Sequence, residues 1–141
     1  MELKATRATA IGNLENFVEN NLGEYSTLRN FDFGPYKRSN TSCLSPYITH
    51  GVVNEKEVIR KSLDKFSFQK NEKFIQEVLW RTYWKGWMEL RSGVWDDYLI
   101  DLKRIKEKFK DNGNYLNAIK GKTKIECFNE WVNELKTFNY L

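Results

Sequence analysis

Phe74-Ile75-Gln76-Glu77-Val78-Leu79-Trp80-Arg81-Thr82-Tyr83-Trp84 is the stretch that sets the fold class. Glu77, Trp80, Arg81 and Trp84 fall at i, i+3, i+4 and i+7, so they share one face of a helix. The surrounding pattern extends that helix from about Lys73 to Leu90 and makes it the longest and most aromatic of the chain. On spacing alone, the face is partly buried, with Glu77 and Arg81 as an i, i+4 ion pair beside packed indoles.

Outward from this helix the same periodicity recurs. Asn54 with Glu57 spells a capping box, in which each side chain satisfies the other's backbone N–H, opening a helix that carries Val58, Ile59, Leu63 and Phe66. Pro46 to Thr49 reads as a short helical turn closed by Gly51, and residues 30 to 44 as loop. Ala8, Ile11, Leu14, Phe17 and Val18 recur at helical spacing ahead of Gly23, a C-terminal stop, which gives a first helix over roughly residues 5 to 21. Downstream, Leu99, Leu102, Ile105 and Phe109 mark an amphipathic helix ending near Asn112 and Gly113. Thr123 with Glu126 is a second capping box, ahead of Phe128, Trp131, Val132 and Leu135. No window alternates with a period of two between turn signals, so the chain is read as all-α.

At 141 residues the chain is one domain's worth, and its 40% apolar content suffices for a modest core. Five Trp, seven Tyr and nine Phe exceed what such a core needs, so some rings are expected to line a pocket or a stacking surface. The net charge of +4 suits nucleic acid only weakly, since 19 acidic residues share the surface. Cys43 and Cys127 form neither a metal spacing nor a disulfide framework, which points to a reducing, cytoplasmic compartment. No stretch approaches membrane-spanning length. The ending Phe138-Asn139-Tyr140-Leu141 is apolar and aromatic, and predicts truncation or a partner surface there.

Thr41-Ser42-Cys43-Leu44-Ser45-Pro46-Tyr47 holds the clearest chemistry. Ser45 reads as an N-cap and Pro46 as the first helical residue, where its missing N–H costs nothing. The hydroxyls of Thr41, Ser42 and Ser45 add donors to the free backbone N–H groups, an outline that suits a diphosphate. The bland alternative is a capped helix that binds only its own backbone. No set of nucleophile, base and orienter emerges, and phosphoryl transfer lacks its Gly-rich loop and Lys, so no catalytic residue is assigned.

The two segments in this order resemble the FAD-binding domain of the DNA photolyase and cryptochrome family. The family pattern reads Thr-Ser-x-Leu-Ser-x-x-Leu-x-x-Gly, then Glu-Leu-x-Trp-Arg-x-Phe-Tyr. Gly23, Glu24 and Tyr25 with Arg29 also look like the family, as do Gly121, Lys122, Thr123 and the helix after them. Departures are Cys43 for a common Arg, Ile48 for the usual Leu, and Phe74 where some members have Trp. The resemblance spans most of residues 1–141 and implies a helical bundle like the first half of that domain. The α/β antenna domain and the later segments of the flavin domain have no counterpart here.

The resemblance implies that Tyr25, Thr41, Ser42, Leu44, Ser45, Phe74 and Arg81 contact FAD. It implies that Arg29, Glu77, Trp80 and Trp84 face damaged DNA. There Glu77 would hydrogen-bond a base edge of a pyrimidine dimer, Trp80 would stack on the flipped base, and Arg29 would meet a phosphate. The implied activity is light-driven electron transfer from reduced FAD to the dimer, a photolyase-type lyase that is inactive until a second chain completes the flavin domain. Two rivals stay open: a cryptochrome-like blue-light receptor without repair, and a non-catalytic helical subunit that needs a partner chain. On bland reasoning Tyr25 and Phe74 are packing residues and Arg29 is a solvated loop cation.

Overall fold

Thr6 opens the first helix, its hydroxyl accepting from the Thr9 N–H, so that α1 runs from Arg7 to Asn20. The structure is a computed structural model that describes residues 4–139, and among these it is all-helical, with no strand. The chain divides into two compact units, one reaching to Lys85 and one from Gly86 onward.

In the first unit Ala10, Leu14, Phe17 and Val18 form the buried stripe of α1, the i, i+4, i+7, i+8 pattern of an amphipathic helix. α1 ends at Asn20, and Gly23 lies inside a 3-10 turn, Leu22–Glu24, that leads into α2, Tyr25–Leu28. The first helix thus stops ahead of Gly23 as expected, and Gly23 itself lies in the tight turn that follows. Residues 30 to 44 hold no helix, as expected, and Asn40 secures this loop by donating its amide to the carbonyls of Leu28 and Phe31 at 2.9 and 2.7 Å.

α3, Ser45–Thr49, is followed by Gly51 at φ +67°, the left-handed conformation that glycine adopts without a Cβ penalty. The Asn54–Glu57 capping box forms in both directions and opens α4, Glu55–Lys65. α4 packs on α1 through Val58, which is fully buried. Asn71 ties the end of α4 to α5 by donating to the carbonyls of Ser62 and Phe66, groups that the helix terminus leaves without partners. α5, Phe68–Glu89, begins five residues earlier than its aromatic pattern indicated.

Ion pairs border the α1–α4 contact: Lys61 with Glu15 at 2.9 Å, Lys65 with Glu19, and Arg7 with Glu57. Such exposed pairs add little stability individually. The Arg7 hydrogen bond, aided by the Asn54 N–H, holds the Glu57 carboxyl below its ordinary value of 4.5. A carboxylate whose folded pKa is depressed stabilises above its unfolded pKa and loses that contribution as pH falls through the folded value. Urea denaturation should therefore show Glu57→Gln less stable than wild type at pH 7, with the gap closing below about pH 4.5.

The second unit holds α6, Ser92–Lys108; α7, Gly113–Ile119; and α8, Glu126–Phe138. Two expectations are corrected here. Gly113 is not a stop: Asn112 accepts from the Tyr115 N–H, so Gly113 becomes the first residue of α7. Nor does Thr123 form a capping box with Glu126. Its N–H and hydroxyl both donate to Asn129 Oδ1 at 2.8 Å, while the Asn129 amide donates back to the Thr123 carbonyl at 2.8 Å. Asn129, one turn further on, takes the place that the capping pattern gave to Glu126.

Gly121 joins α7 to α8 at φ +69°, and a Cβ there would lie 2.8 Å from Val132 Cγ1. Gly121→Ala is expected to lower the unit's stability by more than about 1 kcal/mol, since both the left-handed backbone and the clash oppose it. Faster amide exchange over residues 113 to 138 would register the loss. None of α6, α7 or α8 contains a buried residue, and every buried apolar side chain of the described residues belongs to the first unit. Tyr140 and Leu141, part of the expected apolar ending, lie outside the described residues.

Candidate functional site

Arg81 on α5 reaches the short helix α3. Its guanidinium donates to Ser45 Oγ at 3.5 Å and to Thr49 Oγ1, and its Nε lies 4.0 Å from Glu55 Oε1. Thr49 in turn donates to the Ser45 carbonyl at 2.7 Å, and Glu55 accepts from the Thr82 hydroxyl at 3.5 Å. The planar fork of arginine serves several oxygens at once, which a lysine ammonium would do less well.

The expected N-cap role of Ser45 is corrected by this arrangement. Ser45 is the first residue of α3, the cap position falls on Leu44 with no side-chain bond, and Pro46 follows inside the first turn. Leu44 is 1% exposed and belongs to the core, so it anchors the loop through its side chain while Ser45 and Thr41 stay exposed. Between them Cys43 takes φ +51°, a left-handed turn uncommon for a residue with a Cβ. Ser42 is half-buried.

A second group lies on the α1–α2–α5 side of the unit. Tyr25 meets Phe74 edge-on at 5.2 Å and Phe17 at 5.9 Å, while Phe17 and Phe74 are 5.3 Å apart. Burial pushes the Tyr25 phenol above its ordinary value, the Glu77 carboxylate adds to this, and the Arg29 charge opposes it. Arg29 Nε lies 3.9 Å from Glu77 Oε1, and the Arg29 guanidinium also donates to the Ser26 carbonyl. Arg29 Nε is itself buried and makes no hydrogen bond.

The spacing-only picture of α5, a Glu77–Arg81 pair beside packed indoles, is therefore not what forms. Glu77 and Arg81 each take a partner from another element, and Trp80 is 57% exposed. Trp84 is also exposed and meets Tyr83 edge-on at 5.5 Å. Phe74, by contrast, is 3% exposed and sits in the core. The sequence reading missed Thr49 and Glu55. Thr49 carried a usable signal, since it stands at i+4 from Ser45 on the same turn; Glu55 had none, being 26 residues from Arg81.

The exposed hydroxyls of Thr41 and Ser45 and the Arg81 guanidinium can attract an anion, which the Glu55 carboxylate opposes, and the exposed Trp80 ring can stack on a planar group. Among the described residues no cluster of His, Cys, Asp and Glu could hold a metal ion, and no helix is long and apolar enough to cross a membrane. No protein family, curated protein or solved structure matches the chain.

Proposed function

We propose that the chain is a photolyase- or cryptochrome-like FAD-binding fragment serving light-driven electron transfer to pyrimidine dimers in DNA. The observation that carries this reading is the contact between Arg81 and Ser45. The two segments that resemble the family's cofactor motifs are 36 residues apart and meet side chain to side chain. The contact of Tyr25 with Phe74 adds to it, since both are cofactor positions under the same resemblance.

The donor set fits an anionic cofactor. Thr41 and Ser45 offer exposed hydroxyls, Ser42 a half-buried one, and Arg81 brings a positive charge to Ser45, offset in part by Glu55 at 4.0 Å. In this reading the three hydroxyls hold the diphosphate, Arg81 reaches toward the flavin, Leu44 keeps the loop seated, and Tyr25, packed on the buried Phe74, meets the phosphate or ribose region. FAD, when bound, supplies the electron for the reaction. Glu77 accepts a hydrogen bond from the damaged base, Trp80 and Trp84 offer ring faces for stacking, and Arg29 brings charge toward the DNA backbone. Among the described residues the second unit holds no buried side chain, which favours a chain that works with a partner, and a photoreceptor without repair differs only in the DNA contacts.

Titrating FAD into the purified chain, followed by quenching of flavin fluorescence, tests the reading. Binding is expected to be weak, because a half-open site leaves the ring in water. Arg81→Ala is expected to weaken it further by about tenfold or more, the scale of a lost hydrogen bond to a charged group. A flat titration of the wild-type chain would remove FAD from the proposal.

A further inference from the structure

We propose that Glu55 is an intramolecular competitor for Arg81, a carboxylate that occupies the guanidinium and sets how strongly the site takes a phosphate-bearing ligand. This rests on the reading of Arg81 and the Ser45 loop as a cofactor site. All three guanidinium nitrogens of Arg81 meet oxygens of the chain: Nη1 the Ser45 hydroxyl at 3.5 Å, Nη2 the Thr49 hydroxyl, and Nε the Glu55 carboxylate at 4.0 Å. These oxygens differ in what they leave for a ligand. Thr49 spends its hydrogen on the Ser45 carbonyl at 2.7 Å, whereas Ser45 Oγ accepts from Arg81 and has its own hydrogen left to donate to an anion. A carboxylate only accepts, so Glu55 contends with an incoming phosphate for the same donor.

Glu55 is placed to stay charged when Arg81 lets go. It is the first residue of α4, where the N-terminal end of the helix dipole favours an acid, and the Thr82 hydroxyl donates to it at 3.5 Å. The Asn54–Glu57 box, and not Glu55, caps the helix, so the start of α4 does not depend on the contact with Arg81. The Arg81 and Glu55 side chains are 36% and 31% exposed, so the pair has the strength of a surface ion pair. That is enough to tune affinity and too little to block binding.

Two titrations of the whole chain test this, one with FAD followed by flavin fluorescence and one with inorganic pyrophosphate followed by the Ser45 backbone N–H resonance. Glu55→Gln removes the charge while keeping the side chain's length and an oxygen for Thr82. It is expected to tighten both ligands about two- to fivefold, the scale of an exposed ion pair, with helical circular dichroism unchanged. In an Arg81→Ala background the same substitution should bring no tightening, with binding either lost or unmoved, because no guanidinium is left to contend for. Unchanged affinities in Glu55→Gln alone would overturn the proposal. So would an equal gain without Arg81, which would mean that the carboxylate simply repels the ligand. If FAD binds no variant while pyrophosphate shows the gain, the flavin reading falls and the competition stands; if neither ligand binds any variant, both fall.

Discussion

Phe17→Ala is expected to lower the stability of the first unit by about 3–5 kcal/mol, the range for removing a buried aromatic ring. Phe17 is 3% exposed and touches both Tyr25 and Phe74, so truncation removes one member of a three-ring cluster. Collapse into the space is resisted because α1 is held against α4 by Val58 and by Ala10, Leu14 and Val18 on the same stripe. The effect extends to the candidate site. With Phe17 gone, water reaches the Tyr25 phenol and its pKa should fall back toward the ordinary 10.0. Urea denaturation would measure the first effect and ultraviolet titration of tyrosine the second. A loss below about 1 kcal/mol would mean that the ring cluster does not organise this unit.

Trp80→Ala should separate binding from folding. The indole is 57% exposed, so its removal is expected to change stability by no more than about 0.5 kcal/mol. If it stacks on an extruded base, its loss should weaken binding to dimer-containing DNA by about 1–3 kcal/mol, roughly five- to 150-fold. Undamaged DNA should be far less affected. Arg29→Ala is the companion measurement. A phosphate contact is blind to the lesion, so both DNAs should weaken alike. Fluorescence anisotropy with oligonucleotides containing or lacking a thymine dimer gives all four values. Equal losses for Trp80→Ala on the two DNAs would remove the lesion-reading role and leave the photoreceptor and subunit readings.

Local physics explains which parts of the fold were legible. The Asn54–Glu57 box and the Gly51 stop depend on residues within one or two turns of each other and form as read, whereas the buried stripe of α1 begins at Ala10 and leaves the expected Ala8 exposed. Where two local patterns competed, the reading failed. Gly113 looked like a stop because glycine ends helices, yet Asn112 before it is a better N-cap than glycine is a terminator. Thr123 had two polar side chains within reach, and the amide of Asn129 both donates and accepts, which a carboxylate cannot do. Ser45 had the right type for a cap but lies one residue inside the helix, because burial of Leu44 fixes where the chain turns.

The sequence by itself determined that this chain is helical and where its long aromatic helix lies. Only the tertiary structure decided which side chains meet. It turned Glu77 toward Arg29 and Arg81 toward Ser45, Thr49 and Glu55, left Trp80 in solvent, and drew Phe74 into the core. Helical periodicity states which residues share a face. What that face rests against depends on contacts 26 to 48 residues away in the chain, and no local propensity encodes those.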